Sequence, residues 1–214
     1  MNDLFGPAPA LEPIPMIDAD VTFLHGFYRQ PHTGFLLQAL LREIAWRQET
    51  IRLWGKEYLQ PRLSAWYGDA GARYTYSGST FEPHAWTETL MRIKEDIEAL
   101  SGHRFNSVLC NLYRNERDSV SWHSDNEAEF GEQPVIASLS LGETRVFKLR
   151  HKRRKDQKRI ALELTDGSLL IMAGATQQHW QHAVEKERGP CGPRINLTFR
   201  NIVLPRAAII RATP

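Results

Sequence analysis

His123-Ser124-Asp125 closes an alternating run, Ser107–Asn126 (SVLCNLYRNERDSVSWHSDN), and its residue types and spacing suit metal chemistry. In an extended chain residues two apart face the same side, so His123 and Asp125 can aim an imidazole nitrogen and a carboxylate oxygen at one point. That is two-thirds of the facial set of two histidines and one carboxylate that holds a non-haem iron(II) and leaves positions open. Gln177–Ala183 (QQHWQHA) offers His179 and His182 as the missing donor. They are three apart, so in a strand they face opposite ways and only one can join the pair. Further on, Arg194, Asn196, Thr198 and Arg200 share one face of a strand whose other face carries Ile195, Leu197 and Phe199. Two inward guanidiniums are expensive in a core unless an anion neutralises them, and a dicarboxylate gripped by bidentate contacts would do so.

These groups need a scaffold to bring them together. The 214 residues are 42% hydrophobic and 24% charged with a net charge of +2, the profile of one ordinary globular domain. No run reaches the length of a membrane span, and the first residues lack a basic-then-apolar signal pattern. Cys110 and Cys191 can make neither a disulfide scaffold nor a four-cysteine metal site, so a reducing, intracellular location is expected: cytoplasmic, or nuclear in a eukaryote. Residues 1–20 read as a flexible leader, proline-rich through Met16, ahead of one domain over 21–214.

A weakly alternating segment spans Val21–Tyr28. A helix is predicted from an N-cap at Thr33, with Leu36, Leu37, Leu40, Leu41 and Ile44 at helical spacing. Glu49–Leu59 reads as a hairpin with Trp54 near its tip. Pro61–Trp66 is a strand, Tyr67–Gly71 a turn, and Arg73–Ser77 a strand with Tyr74 and Tyr76 on one face. Pro83 opens a second helix whose stripe is Trp86, Leu90, Ile93, Ile97 and Leu100. The rest reads as strands: Val108–Tyr113, Val135–Leu141, Arg145–Arg150, Ile160–Leu164, Ser168–Ala173 and Arg194–Leu204. The expected class is α+β, mainly β: an antiparallel sandwich of jelly-roll type buttressed by two helices. His151–Arg159 (HKRRKDQKR) carries six basic residues against one acid. It suits phosphate contact through Lys152, Arg153, Arg154, Lys155, Lys158 and Arg159.

Taken together, His123-x-Asp125, a distal histidine and Arg194-x-Asn196-x-Thr198-Phe199-Arg200, preceded by Asn111-x-Tyr113, resemble the AlkB-type iron(II)/2-oxoglutarate dioxygenases. The closest similarity is to the branch that repairs alkylated bases in duplex DNA. The resemblance runs from about Leu53 to Val203 and takes in Pro61-Arg62, Tyr67–Gly71, Tyr74–Gly78 and Val135–Gly142. It implies a double-stranded β-helix core over about 105–204 and a nucleotide-recognition lid with a finger hairpin over about 48–82.

The resemblance also implies roles. His123, Asp125 and His182 would hold iron(II), leaving His179 to pack behind them. Arg194 would pair the distal carboxylate of 2-oxoglutarate and Arg200 would lie near its keto-acid end, with Asn111, Tyr113 and Asn196 completing that pocket. Tyr76 would stack on a flipped base, beside Tyr74, Ser77, Arg62 and Glu127. Leu53, Trp54 and Gly55 would form the finger, Trp54 filling the gap the base leaves. The implied activity is oxidative demethylation of 1-methyladenine and 3-methylcytosine in nucleic acid, DNA ahead of RNA, with O2 consumed and formaldehyde released by a monomer. Two departures stand out. Asn126 follows the carboxylate where the duplex-repair branch commonly has a second acid, and Glu185–Arg188 is mixed in charge where that branch is cationic. An RNA demethylase with the same chemistry, a nucleic-acid-binding module with a vestigial metal site, and a zinc hydrolase are the rival readings; the last leaves the two arginines without a role.

Overall fold

Period-two alternation dominates the second half of the chain, and in three dimensions it becomes two antiparallel sheets. The computed structural model describes residues 10–53, 56–76 and 79–203. In chain order the elements are β1 (Glu12–Pro13), β2 (Asp20–Leu24), α1 (His32–Glu43), β3 (Thr50–Leu53), β4 (Lys56–Leu59), β5 (Leu63–Gly68), β6 (Tyr74–Tyr76), β7 (Ser79–Phe81) and α2 (Glu88–Ser101). There follow β8 (Ser107–Tyr113), β9 (Val120–His123), β10 (Ile136–Gly142), β11 (Arg145–His151), β12 (Ile160–Leu164), β13 (Leu169–Ala173), α3 (Thr176–His179), β14 (Trp180–Val184) and β15 (Arg194–Arg200). The larger sheet has the order β1-β2-β13-β10-β15-β8-β5 and the smaller β12-β11-β14-β9, while β3-β4 and β6-β7 form separate hairpins.

β15 shows how one sequence builds two environments. Ile195, Leu197 and Phe199 join Leu139 and Leu141 of β10 and Val108, Cys110 and Leu112 of β8 in a layer under the helices. Leu36 and Leu40 of α1 and Leu90, Ile93 and Ile97 of α2 close that layer from outside. The opposite face of the same strands looks between the sheets. Toward one end it packs Ile136, Leu170 and Met172 against Phe147, Leu149, Trp180 and Val184 of the small sheet. Around Arg194–Arg200 that inner face is instead polar and buried. The expected sandwich with helices on one outer face is therefore the observed architecture.

Several local boundaries differ from expectation, each for a visible reason. Thr33 does not cap α1: Pro31 stands at the N-cap without a side-chain bond. The Thr33 hydroxyl instead donates to Asp166 Oδ2 at 2.6 Å, fastening α1 to the β12–β13 turn. α2 begins at Glu88 rather than Pro83, because the Thr87 hydroxyl accepts from the Leu90 N–H at 3.2 Å and fixes the start there. Trp86 thus precedes the helix, its ring parallel to Phe199 at 6.4 Å, and Leu100 is 37% exposed rather than part of the stripe. β5 continues through Tyr67 and Gly68, so the expected turn is confined to Asp69–Gly71; a Cβ at Gly68 would lie 2.7 Å from the Asn106 carbonyl. The expected leader is pinned at Glu12–Pro13, which pairs with Thr22 and Phe23 of β2. The segment from Val21 is strand only to Leu24, and the last strand ends at Arg200.

Candidate metal centre and adjoining cavities

β9 and β14 are neighbours in the small sheet, and their register places His182 directly opposite His123. Opposed residues of an antiparallel pair share a face, so register selects His182. His179, in α3, turns away and packs at 5.8 Å against the ring of His151. Asp125 lies just past the end of β9, fully buried. Gln177 Oε1 accepts from the Asp125 N–H at 3.0 Å, and the Ser124 hydroxyl donates to the Trp180 carbonyl at 2.8 Å; these bonds lock the His-x-Asp segment against α3 and β14.

Ligand atoms of His123, Asp125 and His182 all lie within 4.8 Å of one another. His123 Nδ1 is 2.8 Å from the Ser121 carbonyl, so Nδ1–H donates there and Nε2 turns its lone pair to the centre. His182 Nε2 comes to 3.1 Å from His123 Nε2. Burial first, then His123, pushes the His182 pKa down to about 3, so that ring is neutral near pH 7. Donors about 2.1 Å from a shared ion at right angles would be about 3 Å apart, which is the spacing of these two nitrogens. The carboxylate sits a little wider, at 3.9 Å from His123 and 3.8 Å from His182. Arg200 Nη2 donates to Asp125 Oδ1 at 2.8 Å. Burial would push the Asp125 carboxyl up; Arg200, His182 and His123 outweigh it and hold it at about 2, ready to ligate. The donor set fits a divalent transition ion.

A cavity of about 50 Å³ runs from this centre between the sheets, with Asn111, Tyr113, Arg194, Asn196, Thr198 and Arg200 in its lining. Arg194 is 1% exposed. Its Nη2 donates to Ser140 Oγ at 2.9 Å, while Nε and Nη1 have no hydrogen-bond partner among the described residues. Burial pushes its pKa down to about 10. With no acidic partner among the described residues, this buried guanidinium is a fitting receptor for a carboxylate.

Compared with known proteins, residues 20–200 match the family model described as the 2OG-Fe(II) oxygenase superfamily. The chain belongs to that superfamily. It is 47% identical over 185 residues to "Alpha-ketoglutarate-dependent dioxygenase alkB homolog 3" of Bos taurus, covering 83% of this chain and 64% of that protein. It is 36% identical over 197 residues to "DNA oxidative demethylase ALKBH2" of Homo sapiens, covering 88% of this chain and 74% of the relative. The chain thus spans less than two-thirds of the first relative, and these names place it among the AlkB-type members of the superfamily. The solved structure of OsALKBH1 superposes with a TM-score of 0.60 at 16% identity, covering 90% of this chain and all of that one, a likeness of fold.

For a 2OG-Fe(II) oxygenase the two halves of the site are thus in one place: three metal donors and, beside them, the buried arginines of β15. The other expected cosubstrate residues line the same cavity, but with partners. Asn111 Oδ1 accepts from Arg62 Nε at 2.8 Å. Asn196 donates to Ser138 Oγ at 2.8 Å and accepts from Thr198 at 2.9 Å, making a fixed polar floor. Tyr113 lies between two cations, 5.1 Å from Arg194 and 5.5 Å from Arg145. Ser138 and Ser140 occupy inward positions of the alternating VIASLSLG segment, where two hydroxyls in a buried strand were the available sign of a polar interior.

A second cavity, of about 190 Å³, also reaches His123 and Asp125; Glu49, Gln60, Arg62, Trp66, Leu109 and Glu127 are among its lining. Of the expected base-pocket residues, Arg62 and Glu127 are here, Arg62 also reaching the first cavity. Tyr74 and Tyr76 belong to β6, paired with β7, and Leu53 ends β3 opposite Lys56. Trp54, Gly55 and Ser77 lie outside the described residues. The basic run links β11 to β12, and Arg153, Lys155 and Lys158 are exposed. Lys152 Nζ is partly spent on the Gln177 carbonyl at 2.7 Å, Arg154 pairs with Asp156 at 3.1 Å, and Arg159 lies 5.8 Å from the ring of Trp122. The acids of the Glu185–Arg188 loop have local partners: Glu187 Oε1 accepts from Arg145 at 3.0 Å, and Glu185 pairs with Lys148.

Proposed function

We propose that this chain oxidatively removes N-linked methyl groups from bases of nucleic acid, DNA in the first place, with a flipped base seated in the larger cavity. One observation carries the reading: His123 and Asp125 line both a narrow cavity walled by Arg194 and Arg200, where His182 joins them, and a wider one of about 190 Å³ lined by Glu49, Arg62 and Glu127. The names of the relatives above support it.

When bound, iron(II) and 2-oxoglutarate supply oxidation of the methyl carbon by O2, with 2-oxoglutarate leaving as succinate and CO2. The chain's own residues position. Nε2 of His123 and of His182 and the Asp125 carboxylate hold the metal, and the Arg200 bond keeps that carboxylate ionised and oriented. Arg194 pairs the far carboxylate of 2-oxoglutarate, and Asn111, Tyr113 and Asn196 wall it in. Glu127, Arg62 and the two tyrosines of β6 hold the base. Residues about 48–82 act as its lid and the hairpin fills the vacated stack. The hydroxymethyl group then loses its hydroxyl proton and its N–C bond breaks, giving formaldehyde and the unmethylated base still in its strand. The exposed cations of the 152–159 segment grip phosphates.

Formaldehyde release from oligonucleotides carrying 1-methyladenine, as duplex DNA, single-stranded DNA and RNA, with and without 2-oxoglutarate, tests this. Turnover that requires 2-oxoglutarate and is lost in His123→Ala supports it; full activity in His123→Ala overturns the metal assignment. The mixed charge of Glu185–Arg188, engaged with Arg145 and Lys148, weakens the grip expected on a second strand and keeps single-stranded DNA or RNA open as the substrate. Preferred turnover of RNA would establish the alternative, an RNA demethylase.

A further inference from the structure

Arg145 opens β11 and is 1% exposed, sharing the inward face of that strand with Phe147 and Leu149. It has no part in the site described above and is not among the lining residues of either cavity. Its guanidinium is held from two loops. Nε donates to Glu187 Oε1 at 3.0 Å, and Nη2 donates to the Glu185 carbonyl at 2.6 Å and the Asp118 carbonyl at 3.0 Å. Asp118 belongs to the β8–β9 connection, Glu185 and Glu187 to the β14–β15 connection, so one side chain ties the strands that carry His123 and His182. Its charge is also aimed. The guanidinium carbons of Arg145 and Arg194 lie 5.5 and 5.1 Å from the centroid of the Tyr113 ring, hence within about 11 Å of each other. Tyr113 pairs with Arg194 across β8 and β15 and lines the narrow cavity. Two like charges so close in a buried region are costly. Glu187 offsets Arg145 only in part: its side chain is 35% exposed against 0% for Arg145, so water screens the acid more than the cation. Burial first and then Arg145 push the Arg194 pKa down, while Tyr113 pushes the other way. The field that presses on one cation favours an anion seated beside it.

We propose that Arg145 is a positioning residue of the 2-oxoglutarate site, orienting Tyr113 beside Arg194 and adding the positive field that selects a keto acid with a second carboxylate. This role rests on Arg194 as the receptor of that carboxylate, and it deepens that assignment. Attraction across about 11 Å at an effective dielectric constant of about 20 amounts to about tenfold in affinity for a singly charged group. A keto acid lacking the second carboxylate gains little, because its one carboxylate belongs at the metal end of the cavity. Glu187 works in the opposite sense: removing its charge leaves Arg145 less compensated and strengthens the grip on the diacid. Selectivity for the cosubstrate is thus tuned from the β14–β15 connection, by groups that never touch it.

Titration calorimetry of the manganese(II)-loaded protein gives the dissociation constants of 2-oxoglutarate and of 2-oxopentanoate, which has the same five carbons and no second carboxylate. Arg145→Met should weaken 2-oxoglutarate about tenfold and leave 2-oxopentanoate within about twofold. Arg145→Lys, which keeps the charge and loses the planar fork, should recover most of that loss. Glu187→Gln, which keeps a hydrogen-bond acceptor and removes the charge, should tighten 2-oxoglutarate about two- to threefold and leave 2-oxopentanoate unchanged. Manganese affinity should be the same in all four proteins, which separates a role at the keto acid from damage to the metal donors. An equal loss for both keto acids in Arg145→Met, no loss, or a lysine that recovers none of it overturns the assignment. Should Arg145→Met fail to fold, Glu187→Gln decides alone: unchanged or weaker binding of 2-oxoglutarate overturns it. Wild-type protein that binds the two keto acids equally overturns the role of Arg194 itself.

Discussion

Replacing Arg194 by methionine should make the ligand-free protein more stable while abolishing its response to 2-oxoglutarate. Arg194 is 1% exposed, and two of its three guanidinium nitrogens lack acceptors among the described residues. Each orphaned buried donor costs about 1–3 kcal/mol, while losing the Ser140 bond and the favourable Tyr113 contact gives back about 1 kcal/mol each. Arg145 adds repulsion that methionine would relieve. A net gain of about 2 kcal/mol is a rise in Tm of about 4–8 °C for a chain of this size. Thermal unfolding of the metal-free protein measures it. A second scan with manganese(II) and 2-oxoglutarate should raise the wild-type Tm further and leave Arg194→Met unmoved by the keto acid. A variant that melts several degrees below wild type, or that still gains stability from 2-oxoglutarate, would refute the reasoning, since the guanidinium would then be satisfied within the fold or dispensable for the ligand.

Three further outcomes follow from other parts of the structure. Gln177→Ala removes the acceptor that holds the Asp125 N–H and should weaken metal affinity by about tenfold, read by titration with manganese(II) or iron(II) under anaerobic conditions. Glu98 is pushed up by burial, but the Phe105 N–H, Arg104 and Lys94 outweigh that and hold it below the usual carboxylate range. Its contribution is therefore present above the unfolded carboxylate pKa and lost as pH falls through the folded one. Glu98→Gln should cost about 1–3 kcal/mol in urea unfolding at pH 7 and flatten the acid limb of stability against pH. Exchanging Arg153, Lys155 and Lys158 for glutamine should weaken oligonucleotide binding alike for all sequences. The slope of log K against log salt should fall by about 2–3.

How far the site could be read in the chain depended on whether its geometry is local. His123 and Asp125 are two residues apart at a strand end, and the Arg194–Arg200 alternation is complete within seven residues, so both were legible from spacing. The choice between His179 and His182 was not: it depends on how β14 sits against β9, a pairing between segments 59 residues apart at the histidines. The resemblance supplied His182, and the register explains it. Arg145 gave no periodic signal, because its meaning comes from distant loops: it is bonded to Glu187, Asp118 and Glu185. Thr33 misled because its hydroxyl bonds Asp166 across the fold instead of its own helix end. Pro83 misled because proline tolerates a first helical turn, while the hydroxyl of Thr87 decides where the turn begins.

The two-sided character of β15 constrains more than the ligand sites. Were the strand to mispair by a single position against β8 or β10, its guanidiniums would be driven beneath the helices and its phenylalanine into the polar channel. Such a misaligned chain would bury several charges with nothing to offset them, so the groups that receive the keto acid also penalise the wrong alignment while the sheet assembles. A variant with neutral residues at both ends of β15 would lose that safeguard as well as its ligand.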